Sequence, residues 1–158
     1  MMRRLLLVAA ALLLAMPVWA GDTRPFLKGS YDALLTEHAG RPLVVHFWSL
    51  TCAPCLVELP HWQEVRRRHP ELDLVLVATD PLDDAARLER TLKRAGLAGV
   101  ESWAFADNFA ERLRFEIDRN WRGELPMTRL IGRDGTAEAV TGSVSEATLA
   151  GWLGRPPR

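Results

Sequence analysis

Both cysteines of the chain lie within one short segment, which constrains the fold more than any other feature. Cys52 and Cys55 are two residues apart and follow the apolar, β-branched run RPLVVHFW at residues 41–48. Such a run is typical of a buried strand, and residues 53–68 after it have the apolar spacing of a helix. The predicted buried side of this helix consists of Leu56, Leu59, Trp62 and Val65. The pair is therefore expected where a buried strand ends and its helix begins.

The rest of the chain alternates between strand and helix patterns, with turn signals between them. The predicted strands span 41–48, 71–79 and 102–107, a hairpin spans 125–142, and the helices span 53–68, 81–96, 108–115 and 145–154. Strands joined through helices run parallel, whereas a hairpin adds antiparallel strands at an edge. We therefore predict an α/β fold with a mixed central sheet and helices on both faces.

The N-terminal segment has the pattern of an export signal. Two arginines precede the apolar run LLLVAAALLLAM, and Ala20 stands where a signal peptidase would cleave. The run is shorter than the roughly 20 residues that a membrane span needs. An uncleaved anchor is the alternative, because Trp19 fits a membrane–water interface. The predicted division is a signal peptide at 1–20, a domain at 21–154 and a tail at 155–158. Either alternative places the domain in the periplasm, with membrane contact only if the segment stays uncleaved.

Export bears on how the cysteine pair is interpreted, because cysteines in an oxidising compartment tend to form disulfides. A structural disulfide stabilises most by closing a long loop, and Cys52–Cys55 would close a very short one. Covalent haem attachment needs histidine directly after the second cysteine, where this chain has Leu56. A zinc site needs two further ligands, and the chain has no second cysteine pair. The spacing therefore favours redox chemistry, and no metal is assigned.

The expected position at a helix N-terminus gives the two sulfurs different properties. The partial positive charge there would stabilise a Cys52 thiolate, lower the pKa of that thiol and make it the attacking sulfur. Cys55 would lie one turn inside the helix, more shielded and held as a thiol. It is the natural residue to resolve a mixed disulfide formed by Cys52.

The segments FWSLTCAPCLVELP (47–60) and GELPMTRLIGRDG (123–135) resemble the thioredoxin superfamily. The greatest similarity is to exported TlpA/ResA-like thiol–disulfide oxidoreductases, including those that serve cytochrome c maturation. The resemblance covers residues 26–153 and implies the thioredoxin fold. It also implies that Cys52 is the nucleophile and Cys55 the resolving cysteine. One departure is Thr51, where thioredoxins usually carry tryptophan.

The resemblance further implies a proton carrier and a substrate-binding loop. Glu58 matches the family's acidic residue, which would exchange a proton with Cys55; the alternative is a surface glutamate. Pro126 matches the family's cis-proline, although X-Pro bonds are trans by default. Leu125 before it would offer its backbone to an extended substrate chain, and Trp48 is assigned to the same substrate site beneath the active-site turn.

His46 stands on the active-site strand, where exported relatives often have an amide. Two interpretations stay open for it. The imidazole is either a second proton relay near Cys55 or a buried neutral histidine bonded to a backbone carbonyl.

These features predict an exported enzyme that reduces disulfides in protein partners, for example during cytochrome c or metalloprotein maturation. The Ala-Pro dipeptide between the cysteines lacks the histidine that favours oxidising enzymes. A membrane protein is the expected electron donor, and no organic cofactor is required because the cysteines carry the electrons. The net charge of 0 gives no basic excess for nucleic acid. The alternatives are a disulfide oxidase or isomerase, a binding module without turnover, and a copper-handling protein.

Overall fold

The computed structural model describes residues 23–155. The predicted signal peptide and the last three residues of the predicted tail lie outside this range. In chain order the elements are β1 (Arg24–Phe26), α1 (Ser30–Glu37), β2 (Leu43–Trp48), α2 (Ala53–Arg68), β3 (Asp73–Pro81), a 3-10 helix (Leu82–Asp84), α3 (Ala85–Arg94), β4 (Glu101–Phe105), α4 (Ala110–Ile117), β5 (Met127–Ile131), β6 (Ala137–Thr141) and α5 (Glu146–Leu153). None of the helices within residues 23–155 is both long and apolar enough to cross a membrane.

The strands form one mixed sheet in the order β1-β4-β3-β2-β5-β6. The pairs β1–β4, β4–β3 and β3–β2 are parallel, whereas β2–β5 and β5–β6 are antiparallel. The loops after β2 and β3 therefore lie side by side at one edge of the sheet. Because β5 runs the other way, the segment that precedes it reaches the same edge. The predicted mixed sheet is confirmed, with the hairpin β5–β6 at its border.

Apolar side chains pack against both faces of this sheet, as predicted. On one face the helices α2, α3 and α5 contribute Leu59, Trp62, Val65, Leu88, Leu92, Leu149 and Trp152. On the other face α1 and α4 contribute Tyr31, Leu34, Leu113 and Ile117. The strand β2 is buried along its whole length and supplies alternate residues to the two cores. A strand with two buried faces is expected to be a continuous apolar run, which is how β2 was identified.

The elements β1 and α1 were not predicted from the sequence patterns. β1 has only three residues, with Pro25 at its centre, and is too short to show an alternating pattern. It is an edge strand of the sheet, where proline is tolerated. α1 buries only Tyr31 and Leu34, which are too few side chains to reveal a helical period.

The prediction for the buried side of α2 was wrong at Leu56, which is 38% exposed. The buried residues of α2 are Cys55, Glu58, Leu59, Trp62 and Val65. Glu58 and Leu59 lie three and four residues after Cys55, and Trp62 and Val65 continue the same face, whereas Leu56 is rotated about 100° from Cys55 around the helix axis. The predicted helix at 81–96 also starts later than expected, at Ala85, because β3 continues to Pro81 and a 3-10 helix follows.

His38 connects the end of α1 to the sheet through two carboxylates. Its Nδ1 lies 2.7 Å from Asp73 Oδ2, and its Nε2 lies 3.1 Å from Glu101 Oε2. The hydrogen bond to Glu101, with a further one to Asp73, raises the pKa of His38 to about 8. The imidazolium is therefore stabilised in the folded protein.

We expect this histidine to make stability depend on pH above neutrality. Because folding raises the pKa of His38, its protonated form stabilises the folded state. This stabilisation is fully present below the pKa of the unfolded state, near 6.5, and is lost as pH rises through about 8. His38→Gln should lower the free energy of unfolding by about 2 kcal/mol at pH 6 and by progressively less toward pH 9. Urea unfolding at several pH values measures the difference. His69→Gln, which removes a partly exposed histidine, is the control. An equal loss at pH 6 and pH 9 in His38→Gln would contradict the prediction.

Candidate active site

The two cysteines lie at the start of α2, at the sheet edge where β2 ends. Cys52 is the N-cap residue of α2, is partly exposed, and forms a disulfide with Cys55 at an S–S distance of 2.02 Å. The Cys55 backbone N–H donates to Cys52 Sγ at 3.2 Å, and the Cys55 side chain is fully buried. Cys52 is thus partly accessible from solvent, whereas Cys55 is shielded from it.

The local environment of the pair favours charge on Cys52. The first N–H groups of a helix lack intrahelical partners and carry partial positive charge, which stabilises a thiolate at the N-cap. Pro54 is compatible with this position because a first-turn N–H has no helical acceptor. After reduction, negative charge is favoured on Cys52 at the N-cap and disfavoured on the buried Cys55.

Asp80, at the end of β3, anchors the loop that carries Cys52. Its carboxylate accepts hydrogen bonds from Ser49 Oγ at 3.2 Å and from the Leu50 backbone N–H at 3.0 Å. Ser49 Oγ in turn accepts from the Thr51 N–H at 3.1 Å. Asp80 was not predicted from the sequence. The available signal was an aspartate at the carboxyl end of a strand, where open α/β sheets collect their site residues.

The loop before β5 lies beside the cysteine segment. The Leu125–Pro126 peptide bond is cis, and the carbonyl of Pro126 accepts from the Gly142 N–H at 2.8 Å. Met127 pairs with Phe47 in the antiparallel register of β2 and β5. The residue before Met127, Pro126, therefore lies near Trp48 and the active-site loop. Leu125 is half-buried and packs against both apolar cores. The structure therefore brings Leu125 and Pro126 to the same edge as Cys52.

Trp48 does not fit the substrate-binding role assigned to it from the sequence. Its side chain is fully buried and packs in the same core as Cys55 and Leu59. A side chain without exposed surface cannot contact a substrate, so this assignment is corrected. Trp48 instead supports the active-site turn from below, because it is the last residue of β2 and precedes the loop to Cys52.

Glu58 lies one turn after Cys55 and is buried, with an exposed fraction of 5%. Its Oε1 accepts a hydrogen bond from the Val144 backbone N–H at 2.8 Å, across 86 residues of sequence. Its Oε2 is buried and has no hydrogen-bond partner within residues 23–155. Burial raises the pKa of Glu58, although the hydrogen bond from Val144 and the charge of His61 oppose the shift. The structure thus places a carboxyl group with a raised pKa one helical turn from the shielded sulfur.

His46 is fully buried on β2, and its Nδ1 lies 2.9 Å from Thr128 Oγ1 on β5. Its ring packs against Trp62 of α2, with ring centroids 5.1 Å apart. Burial lowers the pKa of His46 to about 3, so the imidazole is neutral at physiological pH. This environment favours the buried neutral histidine, with a threonine hydroxyl as partner in place of the expected backbone carbonyl.

Comparisons with known proteins agree with this geometry. No protein-family model matches the chain. The chain is 24% identical over 120 residues to the thiol-disulfide oxidoreductase ResA of Bacillus thuringiensis, and the match covers 75% of this chain and 65% of that protein. The chain therefore spans about two thirds of the length of this curated relative.

Solved structures show the same fold. A secreted Mycobacterium tuberculosis disulfide oxidoreductase, described as homologous to E. coli DsbE, superposes with a TM-score of 0.57 at 22% identity, covering 75% of this chain and 84% of that one. A thiol:disulfide interchange protein of the thioredoxin family from Chlorobium tepidum has a TM-score of 0.60 at 17% identity, covering 75% and 81%. The chain is therefore a thioredoxin-fold protein that resembles the TlpA/ResA-like thiol–disulfide oxidoreductases.

Proposed function

We propose that this protein is an exported thiol–disulfide oxidoreductase that reduces disulfides in partner proteins. The observation that carries the proposal is the asymmetric disulfide, with Cys52 partly exposed at the N-cap of α2 and Cys55 fully buried one turn inside. Such an arrangement separates an attacking sulfur from a resolving one. The reported activity of ResA supports the same class of reaction.

The reaction begins with the reduced protein. The Cys52 thiolate attacks one sulfur of the substrate disulfide, and the other substrate sulfur leaves as a thiolate that takes a proton from solvent. Cys55 then loses its proton and attacks the Cys52 sulfur of the mixed disulfide, which releases the second substrate thiolate. Two electrons pass to the substrate, which becomes a dithiol, and the protein becomes the Cys52–Cys55 disulfide.

Glu58 serves the second step in this proposal. Cys55 is buried and must be deprotonated before it can attack, and Glu58 is a buried carboxyl group one turn away with a raised pKa. An ionised Glu58 accepts the Cys55 proton, which is a general-base role. The half-buried Leu125 at the same edge would offer its backbone to the substrate chain beside Cys52, and the buried Pro126 would position it.

The reducing direction and the periplasmic location belong to the same proposal. The Ala53-Pro54 dipeptide contains no histidine to stabilise the Cys52 thiolate further, and strong stabilisation of the reduced form makes an oxidant. The N-terminal export pattern supports the periplasm. A reductase there needs a membrane protein as electron donor, and substrates in cytochrome c or metalloprotein maturation fit this role. The cysteine pair carries the electrons without an organic cofactor.

The direction is tested by running the exchange both ways. The dithiol form is mixed with insulin, and separately the disulfide form is mixed with reduced ribonuclease A; free thiols are trapped with N-ethylmaleimide and counted by mass spectrometry. We expect insulin reduction to be faster than ribonuclease oxidation by at least about 10-fold, as a low-potential dithiol requires. Faster oxidation of ribonuclease would make the protein an oxidase, and no exchange in either direction would make it a binding module.

A further inference from the structure

Several buried polar atoms on α2 and β2 lack a hydrogen-bond partner among the described residues. Within residues 23–155, the unpaired atoms of this region belong to α2 and the neighbouring β2: Glu58 Oε2, His61 Nε2, Trp62 Nε1, His46 Nε2 and Trp48 Nε1. Buried polar atoms in folded proteins nearly always have a hydrogen-bond partner, either protein or ordered water. The unpaired atoms of Glu58 and His61 differ from those of the two tryptophans because a carboxyl group and an imidazole can each accept and release a proton.

Glu58 and His61 lie on the same side of α2, because residues three apart are neighbours on a helix surface. The segment at the start of α5 contacts both of them. The Val144 N–H binds Glu58 Oε1 at 2.8 Å, and two residues later Glu146 Oε1 lies 3.6 Å from His61 Nδ1. The charge of His61 also lowers the pKa of Glu58, so the two groups interact electrostatically.

His61 spans the boundary between the protein interior and solvent. Its Nε2 is buried, while its side chain as a whole is 27% exposed and its Nδ1 faces the exposed carboxylate of Glu146. An imidazole can accept a proton at one ring nitrogen and release one at the other. One nitrogen of His61 is thus directed inward and the other outward.

We propose that His61 carries the proton between the buried carboxyl group of Glu58 and solvent, with Glu146 on its outer side. The proposal deepens and rests on the proposed function. Glu58 must be ionised before it can accept the proton of Cys55, and burial favours its protonated form, so the proton on Glu58 must leave first. His61 Nε2 takes it, directly or through one water, and His61 Nδ1 releases a proton toward Glu146 and bulk water. No electrons move in this step, and the proton count is unchanged.

Charged and titratable groups from three elements surround His61. They are Glu58 and Glu64 on α2, Glu146 on α5 and His46 on β2, with Arg68 binding Glu146 from α2. His46 is neutral and carries no charge into this cluster at physiological pH.

The test measures the rate of the second step alone, in which Cys55 resolves the mixed disulfide. Reduced protein reacts with 5,5′-dithiobis(2-nitrobenzoate): the first thionitrobenzoate reports attack by Cys52, and the second reports resolution by Cys55. We expect His61→Gln to leave the first release unchanged and to slow the second by about 10-fold near neutral pH, as loss of a proton-transfer group does. Imidazole added to His61→Ala should restore the second rate. His69→Gln, at the end of the same helix, is the control and should match the wild type.

A double mutant separates a relay from a structural effect. Because Glu58 and His61 act in series, His61→Gln should add no further slowing in a Glu58→Gln background, whereas independent packing effects add. Additive slowing, or an unchanged second release in His61→Gln, overturns the relay while leaving disulfide reduction intact. If His61→Gln does not fold, Glu146→Gln tests the outer end of the relay. We expect slower resolution by Cys55 in this variant, and an unchanged rate would contradict the relay. A wild-type protein that releases neither thionitrobenzoate refutes the proposed function itself.

Discussion

Replacing Cys52 by serine is expected to abolish disulfide reduction, with a loss of at least about 10³-fold, as removal of a catalytic nucleophile commonly causes. A serine hydroxyl is not ionised at neutral pH and cannot attack a disulfide, and Cys55 is buried and cannot reach the substrate in its place. The rate of insulin reduction measures the effect. Because Cys52 is partly exposed at the edge of the loop, replacing it by serine should leave the fold intact.

Cys55→Ser is the matched variant, and it should fail at a different step. With Cys52 still present, the first attack proceeds, but no second sulfur releases the product, so a mixed disulfide accumulates. Mass spectrometry of the non-reduced protein should show one substrate chain bound through Cys52. A Cys52→Ser protein that still reduces insulin, or a Cys55→Ser protein that accumulates no adduct, would contradict the assigned order of attack.

Glu58→Gln is expected to slow resolution of the mixed disulfide by about 10²-fold near neutral pH, within the range of general acid–base catalysis. The amide keeps an oxygen for the Val144 N–H but cannot accept the proton of Cys55. In the wild type, the rate of the second thionitrobenzoate release should level off once Glu58 is ionised. In the variant, that rate should keep rising with pH, because only solvent base removes the proton.

The free energy of unfolding of Glu58→Gln distinguishes this loss of rate from damage to the fold. Burial raises the pKa of Glu58, so the folded state holds its proton more tightly than the unfolded state. The contribution of the protonated Glu58 to the free energy of unfolding is present below the pKa of the unfolded state. It is lost as pH rises through the pKa of the folded state. At pH 7 a neutral glutamine should therefore leave the free energy of unfolding equal or higher. Glu64→Gln, a surface carboxylate on the same helix, is the control; if it slows resolution equally, the role of Glu58 is wrong.

The sequence was informative where structure depends on neighbours along the chain. The run at residues 41–48 and the helix after it placed Cys52 at a helix N-terminus, because strand, turn and helix patterns are local. The hairpin β5–β6 and the N-cap at Ser145 follow from equally local signals. The three-residue β1 carried no such signal, since it exists only through pairing with β4.

The surroundings of the site could not be predicted because they depend on contacts distant in sequence. Glu58 is held by Val144 and His46 by Thr128, over 86 and 82 residues respectively. Trp48 is the last residue of β2, and whether a strand end is covered depends on the elements that pack around it rather than on the apolar run itself. Helix spacing likewise did not show which side of α2 would be buried, and Leu56 was assigned to the wrong one.

The most direct test of the account is the reduction potential of the Cys52–Cys55 pair, measured by equilibration with a thiol buffer. We expect a value near the about −270 mV of thioredoxin, because the Ala-Pro dipeptide adds no group that would strongly stabilise the reduced form. A dithiol with such a potential reduces partner disulfides when a donor regenerates it. A value near the about −120 mV of strong oxidants would contradict the proposed direction and make this a disulfide-forming enzyme.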